Sequence, residues 1–358
     1  MTHKTISFGK TVNLKQALAL ILSNPNVRFF LRGEPGIGKS SILSELGLLL
    51  PDYNIAYLDI PTMDLGDIAM PVVNKEKMVT EFAPNARFKL QEGKPVAIML
   101  DEFSKGVDPV KNMLHPLIEI KNPRLGDIPL PDGSIVFLTG NLSSDGVGDN
   151  MKAHSLNRLT TLTIRKPNAD EWLEWATKKE TISSVVMAWV NQFPHALASY
   201  TDGDQDDNPY IYNPRVVQGA YVSPRSLERA SQLVLNRDKV DVESLIVALS
   251  GTIGESAARD MQAFIDYKDQ LPSWESIVSN PLEAKVPESA GACAVLVFGA
   301  IQNVEKETLP AFMTYLKRFE PEWQACFVVN LAKNFAKQTM AFSSADFAAW
   351  VRDNEDIL

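Results

Sequence analysis

A short motif near the N-terminal end of the chain has the residue types and spacing needed to bind phosphate groups. It consists of Gly33, Glu34, Pro35, Gly36, Ile37, Gly38, Lys39 and Ser40 and matches the pattern G-x-x-x-x-G-K-[ST]. The glycines let backbone N–H groups curl around phosphates, Lys39 reaches the β- and γ-phosphates, and the Ser40 hydroxyl binds Mg²⁺. A helical run that begins at Ser40 adds the positive end of its dipole. The motif therefore predicts a site for ATP and Mg²⁺ at residues 33–41.

Two adjacent carboxylates follow an apolar run further along the chain. Residues 96–100 are all apolar, and Asp101 and Glu102 come directly after them. Beside a nucleotide, Asp101 would face the metal ion and its waters, and Glu102 would polarise the water that attacks the γ-phosphate. Strands often end in acidic turns, so the acid pair alone is weak evidence for a catalytic role. It becomes strong evidence because the phosphate-binding motif precedes it in the chain.

A third candidate is Asn141, which follows another apolar run, residues 135–139. Open α/β sheets bind their ligands at the carboxyl ends of the strands, which is where this asparagine would lie. Asn141 could orient the same attacking water by hydrogen bonding. Its alternative role is to cap the turn that follows the strand. Together with Lys39 and Glu102, it completes a set of residues suited to phosphoryl transfer.

These residues need a parallel sheet to hold them. Short apolar runs alternate with helical stretches in the first half of the chain, the pattern of a parallel sheet covered by helices. The predicted strands are 27–31, 55–60, 96–100, 135–139 and 159–164. Between the second and third of them, residues 70–82 read as two extended segments around a polar turn at 74–77. This pattern predicts a β-hairpin inserted into the crossover connection.

The second half of the chain is predicted to be helical, because from residue 167 its apolar residues recur at helical spacing. A chain of 358 residues is too long for one ordinary core. We therefore divide it into an α/β core at 1–166, with an insert at about 63–90, an all-α lid at 167–236 and a C-terminal helical module at 237–358.

Composition narrows the classes of function. The chain is 45% hydrophobic and 22% charged, which excludes a disordered protein. Its longest uncharged apolar stretch, 289–301, is too short for a bilayer span, and the first ten residues lack the apolar segment of a signal peptide. Cys293 and Cys326 are expected to be buried, reduced thiols. A cytoplasmic protein without a membrane partner follows, in the host cytoplasm if the protein is viral.

The net charge of −9 disfavours nucleic-acid binding by the surface as a whole. A local basic patch inside an assembly would escape that argument. The two lysines of the hairpin turn, Lys75 and Lys77, are the candidates for such a patch.

The order of these motifs resembles the AAA+ ATPases, and the inserted hairpin resembles the MoxR-type branch, which carries an insert in its second helix. Two further segments carry the resemblance, namely Asn157-Arg158-Leu159 before the fifth strand and Ser223-Pro224-Arg225-Ser226 at the start of a helix. Residues beyond about 237 are similar to C-terminal regions of uncharacterised MoxR-like proteins of phages and bacteria. The resemblance implies a P-loop AAA+ core whose five parallel strands run in the order 5-1-4-3-2.

The resemblance also implies roles for two arginines. Arg158 would be the arginine finger that reaches the γ-phosphate held by a neighbouring subunit, which requires a ring, most simply a hexamer. Arg165 is the next candidate for the finger, and a surface ion pair is the alternative role for Arg158. Arg225 would touch the nucleotide of its own subunit and couple lid angle to ATP state; its alternative is a solvated position in the first helical turn.

The implied function is that of an ATP-hydrolysing motor that remodels protein partners or inserts metal into them. By family analogy, the expected partner is a protein with a von Willebrand factor A-like domain. The alternative is a nucleic-acid motor or loader, such as a viral replication or packaging accessory ATPase. A third hypothesis is a nucleotide switch without catalysis, which intact Lys39, Asp101, Glu102 and Asn141 disfavour.

Overall fold

Five parallel strands form the centre of the first of two units into which the chain divides, Met1–Lys166 and Pro167–Leu358. The structure is a computed structural model and describes residues 11–142, 151, 153–179, 181–215 and 219–354. The elements of the first unit are α1 Leu14–Ser23, β1 Phe29–Arg32, α2 Ser41–Leu49, β2 Asn54–Asp59, β3 Ala69–Asn74, β4 Val79–Pro84, β5 Val96–Asp101, α3 Asp108–Ile118, β6 Arg124–Leu125, β7 Ile128–Pro129, β8 Ile135–Gly140, α4 Ala153–Leu156 and β9 Thr160–Thr163.

The strand order of the main sheet is β2-β5-β8-β1-β9, and every neighbouring pair is parallel. Counted along the chain, these strands are the second, third, fourth, first and fifth of the sheet. The order 5-1-4-3-2 predicted from the resemblance is therefore confirmed, and so is the class of an α/β sheet followed by a helical region. The predicted strand boundaries differ from the observed ones by only one or two residues.

The sheet is buried on both faces, which explains its nearly continuous apolar strands. In β5, Ile98 and Leu100 pack on the side of α3, while Ala97 and Met99 pack on the side of α1 and α2. Successive side chains of a strand point to opposite faces, so one strand contributes to two apolar clusters. Helices on both faces thus hold the strand ends at a fixed edge.

The predicted hairpin is confirmed as β3 and β4, which pair antiparallel from Ala69 opposite Pro84 to Asn74 opposite Val79. A second, smaller hairpin, β6 and β7, packs against it and was not predicted from the sequence. Asp127 accepts a hydrogen bond from the Phe82 amide at 2.6 Å through Oδ2 and donates one to the Phe82 carbonyl at 3.0 Å through its own amide. Gly126 has φ +56°, and a Cβ there would lie 2.3 Å from the Phe82 oxygen, so this contact requires glycine.

The second unit is helical in its described residues. Its helices are α5 Ala169–Ala176, α6 Ser184–Gln192, α7 Pro224–Leu235, α8 Val242–Ile253, α9 Glu255–Asp269, α10 Trp274–Ser279, α11 Ala290–Asn303, α12 Leu309–Leu316, α13 Pro321–Lys333, α14 Phe335–Phe342 and α15 Ala345–Asp353. The apolar stretch noted in the sequence is α11, which is buried around its whole circumference from Ala292 to Ile301. It packs against α6, α9 and α13. Since α6 lies in the range 167–236 and the other two beyond 237, the predicted lid and C-terminal module share one apolar core.

Neither cysteine is in a disulfide. Cys293 is buried and Cys326 is half-buried. Burial raises the pKa of the Cys326 thiol to about 12, which leaves it protonated and inert at neutral pH.

Within the described ranges, every helix is too short or too polar to span a membrane.

We expect Lys337 to contribute strongly to the stability of the second unit. Its ammonium donates hydrogen bonds to the carbonyls of Ile301 at 3.1 Å, Val304 at 3.0 Å and Gln302, at the C-terminal end of α11. A cation there satisfies carbonyls that have no partner within the helix and complements the helix dipole. Lys337→Met should lower the free energy of unfolding by about 2 kcal/mol in urea titrations. The matched control is Lys333→Met at an exposed position of α13, and an equal loss in both variants would contradict the capping role.

Candidate nucleotide site

The phosphate-binding motif forms a loop between β1 and α2, as predicted. Gly36 and Gly38 have φ values of +76° and +100°, in the region that favours glycine. A Cβ on Gly33 would lie 2.6 Å from the Ile37 side chain and 2.7 Å from the Ile164 carbonyl oxygen. Ile37 itself is 1% exposed and packs in the core below the loop. The loop therefore has its shape before any ligand binds, and Ile37 anchors it rather than facing the ligand.

Lys39 and Asn141, which lie far apart in the sequence, meet at this loop. The Lys39 ammonium donates to the carbonyls of Gly33 at 2.7 Å and Glu34 at 2.9 Å, and to Asn141 Oδ1 at 3.4 Å. Asn141 is only 7% exposed. Lys39 was predicted to reach the β- and γ-phosphates and Asn141 to orient the attacking water, and the structure brings the two side chains into contact.

The two serines of the motif have different roles. Ser40 lies at the N-cap of α2 with helical backbone angles, and its hydroxyl does not cap the helix. Ser41, in contrast, donates its hydroxyl proton to the Gly38 carbonyl at 2.7 Å and so supports the loop. Of the two, Ser40 is the better placed to ligate a metal ion.

The acid pair lies at the carboxyl end of β5, as predicted. Asp101 accepts hydrogen bonds from the Thr139 hydroxyl and, at 2.8 Å, from the Tyr57 hydroxyl. The Glu102 amide donates to the same Thr139 oxygen at 3.1 Å. Thr139 on β8 therefore fixes the direction of both acids, and sequence reasoning missed it because it reads as one more strand residue.

Glu102 has an unusual backbone conformation, with φ +49° and ψ +38°. A non-glycine residue in the left-handed region costs about 1 kcal/mol or more, and such strain is common at functional sites. Its carboxylate forms an ion pair with Lys105 at 2.6 Å. The strand therefore ends at Asp101, and Glu102 begins a left-handed turn whose carboxylate is paired with Lys105.

A third carboxylate, Asp59, joins this edge of the sheet. It is the last residue of β2 and lies directly opposite Asp101 in the strand register. Burial raises its pKa, and the negative charges of Asp101 and Glu102 raise it further, while Lys105 acts in the opposite direction. The sequence signal was present, since Asp59 follows the apolar residues 55–58 as Asp101 follows the apolar run 96–100.

The donor set fits Mg²⁺. Among the described residues, no group of three or more acidic, histidine or cysteine side chains could hold a metal ion by itself. Mg²⁺, however, usually binds through one or two protein oxygens and takes its other ligands from phosphates and water. The Ser40 hydroxyl, at the end of the phosphate-binding loop, and the Asp101 carboxylate, at the end of β5, would provide such oxygens.

Arg158 lies at the opposite edge of the sheet. It precedes the amino end of β9, whereas the phosphate-binding loop follows the carboxyl end of the parallel strand β1. Four residues of extended chain separate the two edges by about 13 Å. Arg158 forms an ion pair with Glu119 at 2.8 Å and is partly exposed. The structure therefore does not bring Arg158 to the candidate nucleotide site of the same chain.

Arg165 lies beyond the carboxyl end of β9, whereas Arg158 precedes its amino end. It directly follows Ile164, whose carbonyl oxygen approaches Gly33 of the subunit's own loop, and its amide donates to the Val12 carbonyl at 2.9 Å. Arg225 belongs to the second unit, where it is exposed at the second position of α7, after the capping residue Ser223. Its contact with nucleotide stays a prediction.

No protein-family model and no curated protein matches the chain. Solved structures show a weak similarity. NtrX from Brucella abortus in complex with ADP has a TM-score of 0.40 at 12% identity, covering 98% of this chain and 70% of that chain. The complex of the same protein with ATP has a TM-score of 0.37 at 11% identity, with coverages of 98% and 69%. A predicted ATPase from Cytophaga hutchinsonii has a TM-score of 0.29 at 16% identity, with coverages of 69% and 83%. At these TM-scores and identities the solved structures carry no argument. The assignment of a candidate nucleotide site rests on the strand order of the sheet and on the geometry of the site residues.

Asp59 gives a pH-dependent prediction. A carboxyl group whose pKa is higher in the folded than in the unfolded state makes the folded state bind more protons, so stability falls as pH rises through that range. Asn cannot ionise. Asp59→Asn should therefore unfold at higher urea concentration than the parent chain at neutral pH, and the difference should shrink towards about pH 4.

The control for this experiment is Asp52→Asn, which changes an exposed aspartate just before β2. It should leave the pH dependence unaltered. If Asp59→Asn were less stable than the parent at neutral pH, the charge of Asp59 would be stabilising and the account of its environment would be wrong.

Proposed function

We propose that this chain is an ATP-hydrolysing AAA+ motor of MoxR type that works as a ring on a protein partner. One observation carries the proposal. Lys39, Asn141, Asp101 and Glu102 converge at the carboxyl edge of a sheet with the order 5-1-4-3-2. Sheets of this kind bind their ligands at that edge.

The residues divide the work of hydrolysis between them. The loop amides and Lys39 bind the phosphates, and the Lys39 ammonium exchanges its present carbonyl partners for phosphate oxygens. Mg²⁺, held by Ser40 and Asp101, would neutralise phosphate charge. Asn141 orients the attacking water, and Glu102 accepts its proton once the carboxylate has left Lys105.

The position of Arg158 supports the proposed ring. An arginine at the amino edge of the sheet can stabilise transition-state charge only in the site of another subunit. Arg165 follows the carboxyl end of β9 beside the subunit's own loop, which favours Arg158 over Arg165 as the finger. A hexamer is the expected ring size by family analogy.

The hairpin favours a protein partner over nucleic acid. Its strands expose apolar side chains, including Val73 at 67% and, at the turn, Met78 at 86% exposure. The two lysines and two glutamates of residues 69–84 cancel, and Lys77 is paired with Glu81 at 3.1 Å. An apolar surface without net charge suits contact with a polypeptide, whereas binding to a phosphate backbone needs an excess of basic residues. By family analogy the proposed partner is a protein with a von Willebrand factor A-like domain. The motor would remodel this partner or insert a metal ion into it.

Glu102→Gln tests the catalytic assignment. The amide cannot accept the proton of the attacking water, so ATP hydrolysis should fall at least about 100-fold, while ATP still binds. Turnover by phosphate release and binding by calorimetry measure the two effects. Glu92→Gln, at an exposed position of the same unit, is the control. Ordinary turnover in Glu102→Gln would contradict the assignment, and a parent chain that binds ATP without turnover would indicate a nucleotide switch instead.

Arg158→Ala tests the ring. Hydrolysis should fall about 100-fold or more, with unchanged ATP affinity of the isolated subunit, because the arginine acts on a neighbour's nucleotide. Mixing this variant with Lys39→Ala subunits that retain Arg158 should restore part of the activity. Arg259→Ala, which removes an exposed arginine of the second unit, is the control. Failure of the mixture to recover activity would show that Arg158 does not act across subunits.

Nucleic acid can be tested directly as the alternative partner. We expect single- and double-stranded DNA to leave the ATPase rate unchanged at moderate salt, because the exposed hairpin carries no net charge. Substitution of both lysines, Lys75 and Lys77, by Ala should likewise have no effect on the rate with DNA present. Stimulation by DNA that weakens with salt and disappears in the double variant would favour the nucleic-acid motor.

A further inference from the structure

The end of helix α3 lies beside Arg158. Glu119 directly follows the last residue of α3, and its Oε1 accepts a hydrogen bond from Arg158 Nε at 2.8 Å. The side chains of Glu119 and Arg158 are 41% and 37% exposed, so the pair lies at the surface. Nε is the guanidinium nitrogen nearest the main chain. A bond to it restrains the plane of the whole group, and thereby the direction in which the guanidinium faces.

Arg28 bonds to both segments that carry the Glu119–Arg158 pair, namely the end of α3 and the start of β9. Its side chain is 3% exposed, and its Nε donates to the Leu117 carbonyl at 3.1 Å, in the last turn of α3. Its main-chain carbonyl accepts from the Thr160 amide at 2.8 Å, at the start of β9. Burial lowers the pKa of Arg28, but arginine stays charged at neutral pH, and a charge this deeply buried has to stay paired with its acceptors. The end of α3 and the start of β9 are therefore tied to one buried residue.

We propose that Glu119 is a positioning residue that aims Arg158 at the nucleotide of the neighbouring subunit. The inference rests on the proposed function, because it presumes that Arg158 acts across subunits. An exposed ion pair adds at most about 1 kcal/mol to stability, so Glu119 matters little for folding. A misplaced transition-state contact can nevertheless cost about 100-fold in rate.

The same helix links the two nucleotide sites. Glu102 lies six residues before the start of α3 and would serve the subunit's own site, whereas Glu119 directly follows α3 and would serve the neighbour's. Eleven residues of α-helix separate the two ends of α3.

The test is a double-mutant cycle on ATP hydrolysis by the assembled full-length chain. Glu119→Ala should lower kcat about 10-fold and leave KM for ATP unchanged, because the nucleotide still binds to its own loop. Glu119→Gln keeps an oxygen acceptor for Nε and should lie between the parent and the alanine variant. In an Arg158→Ala background, Glu119→Ala should have no further effect, since Glu119 acts only through Arg158.

Glu255→Gln is the matched control, because it disrupts an exposed Arg–Glu pair of similar length, 2.8 Å, in the second unit. Light scattering on each variant verifies that the assembly is intact. The proposal is overturned, with the proposed function standing, if Arg158→Ala abolishes hydrolysis while Glu119→Ala is ordinary, or if the two losses are additive. If Arg158→Ala itself hydrolyses ATP at the parent rate, the ring function is wrong and the role of Glu119 is overturned with it.

Discussion

The parallel register of β1, β8 and β5 is the constraint on which the candidate site depends. Arg32 pairs with Gly140, so the phosphate-binding loop that follows β1 begins beside Asn141, which follows β8. Leu100 pairs with Leu138, which places Thr139 next to Asp101. A slip of one residue would turn each of these side chains to the other face of the sheet. Apolar clusters on both faces oppose such a slip, because each apolar residue of these three strands is buried in one cluster or the other.

The site stores unfavourable interactions that the rest of the fold tolerates. Asp59, Asp101 and Glu102 bring negative charge to one edge, and Glu102 also has a strained backbone. Lys105 offsets part of the charge through its ion pair with Glu102. Active sites are where such repulsion and strain accumulate, because a site relaxed in the absence of ligand has little to gain by binding one. The large buried cores of the two units provide the stability that this arrangement uses.

The first unit presents different surfaces for different contacts. The carboxyl edge of the sheet holds the candidate nucleotide site, the two hairpins present exposed apolar side chains, and the amino edge presents Arg158 with Glu119. The hairpins are joined to each other through Phe82, Gly126 and Asp127, which gives an exposed element a defined base. These three surfaces are the ones that the proposed function uses, for nucleotide, for a partner and for a neighbouring subunit.

The sequence by itself determined the strands, the inserted hairpin, the helical second half and the residues Lys39, Asp101, Glu102 and Asn141. Glycine spacing, apolar runs and helical periodicity are local signals, and local signals can be read from a linear chain.

Only the tertiary structure decided which side chains support the site residues. Thr139 reads as an ordinary strand residue, Asp59 as a strand end and Glu119 as a solvated helix end, yet each acquires its partner from a segment distant in sequence. The two-residue strands β6 and β7 were too short to show a period, and their docking on Phe82 depends on a tertiary hydrogen bond. Likewise, the lid and the C-terminal module differ along the chain but share a core, because α11 is apolar on all sides and needs helices from both ranges to cover it.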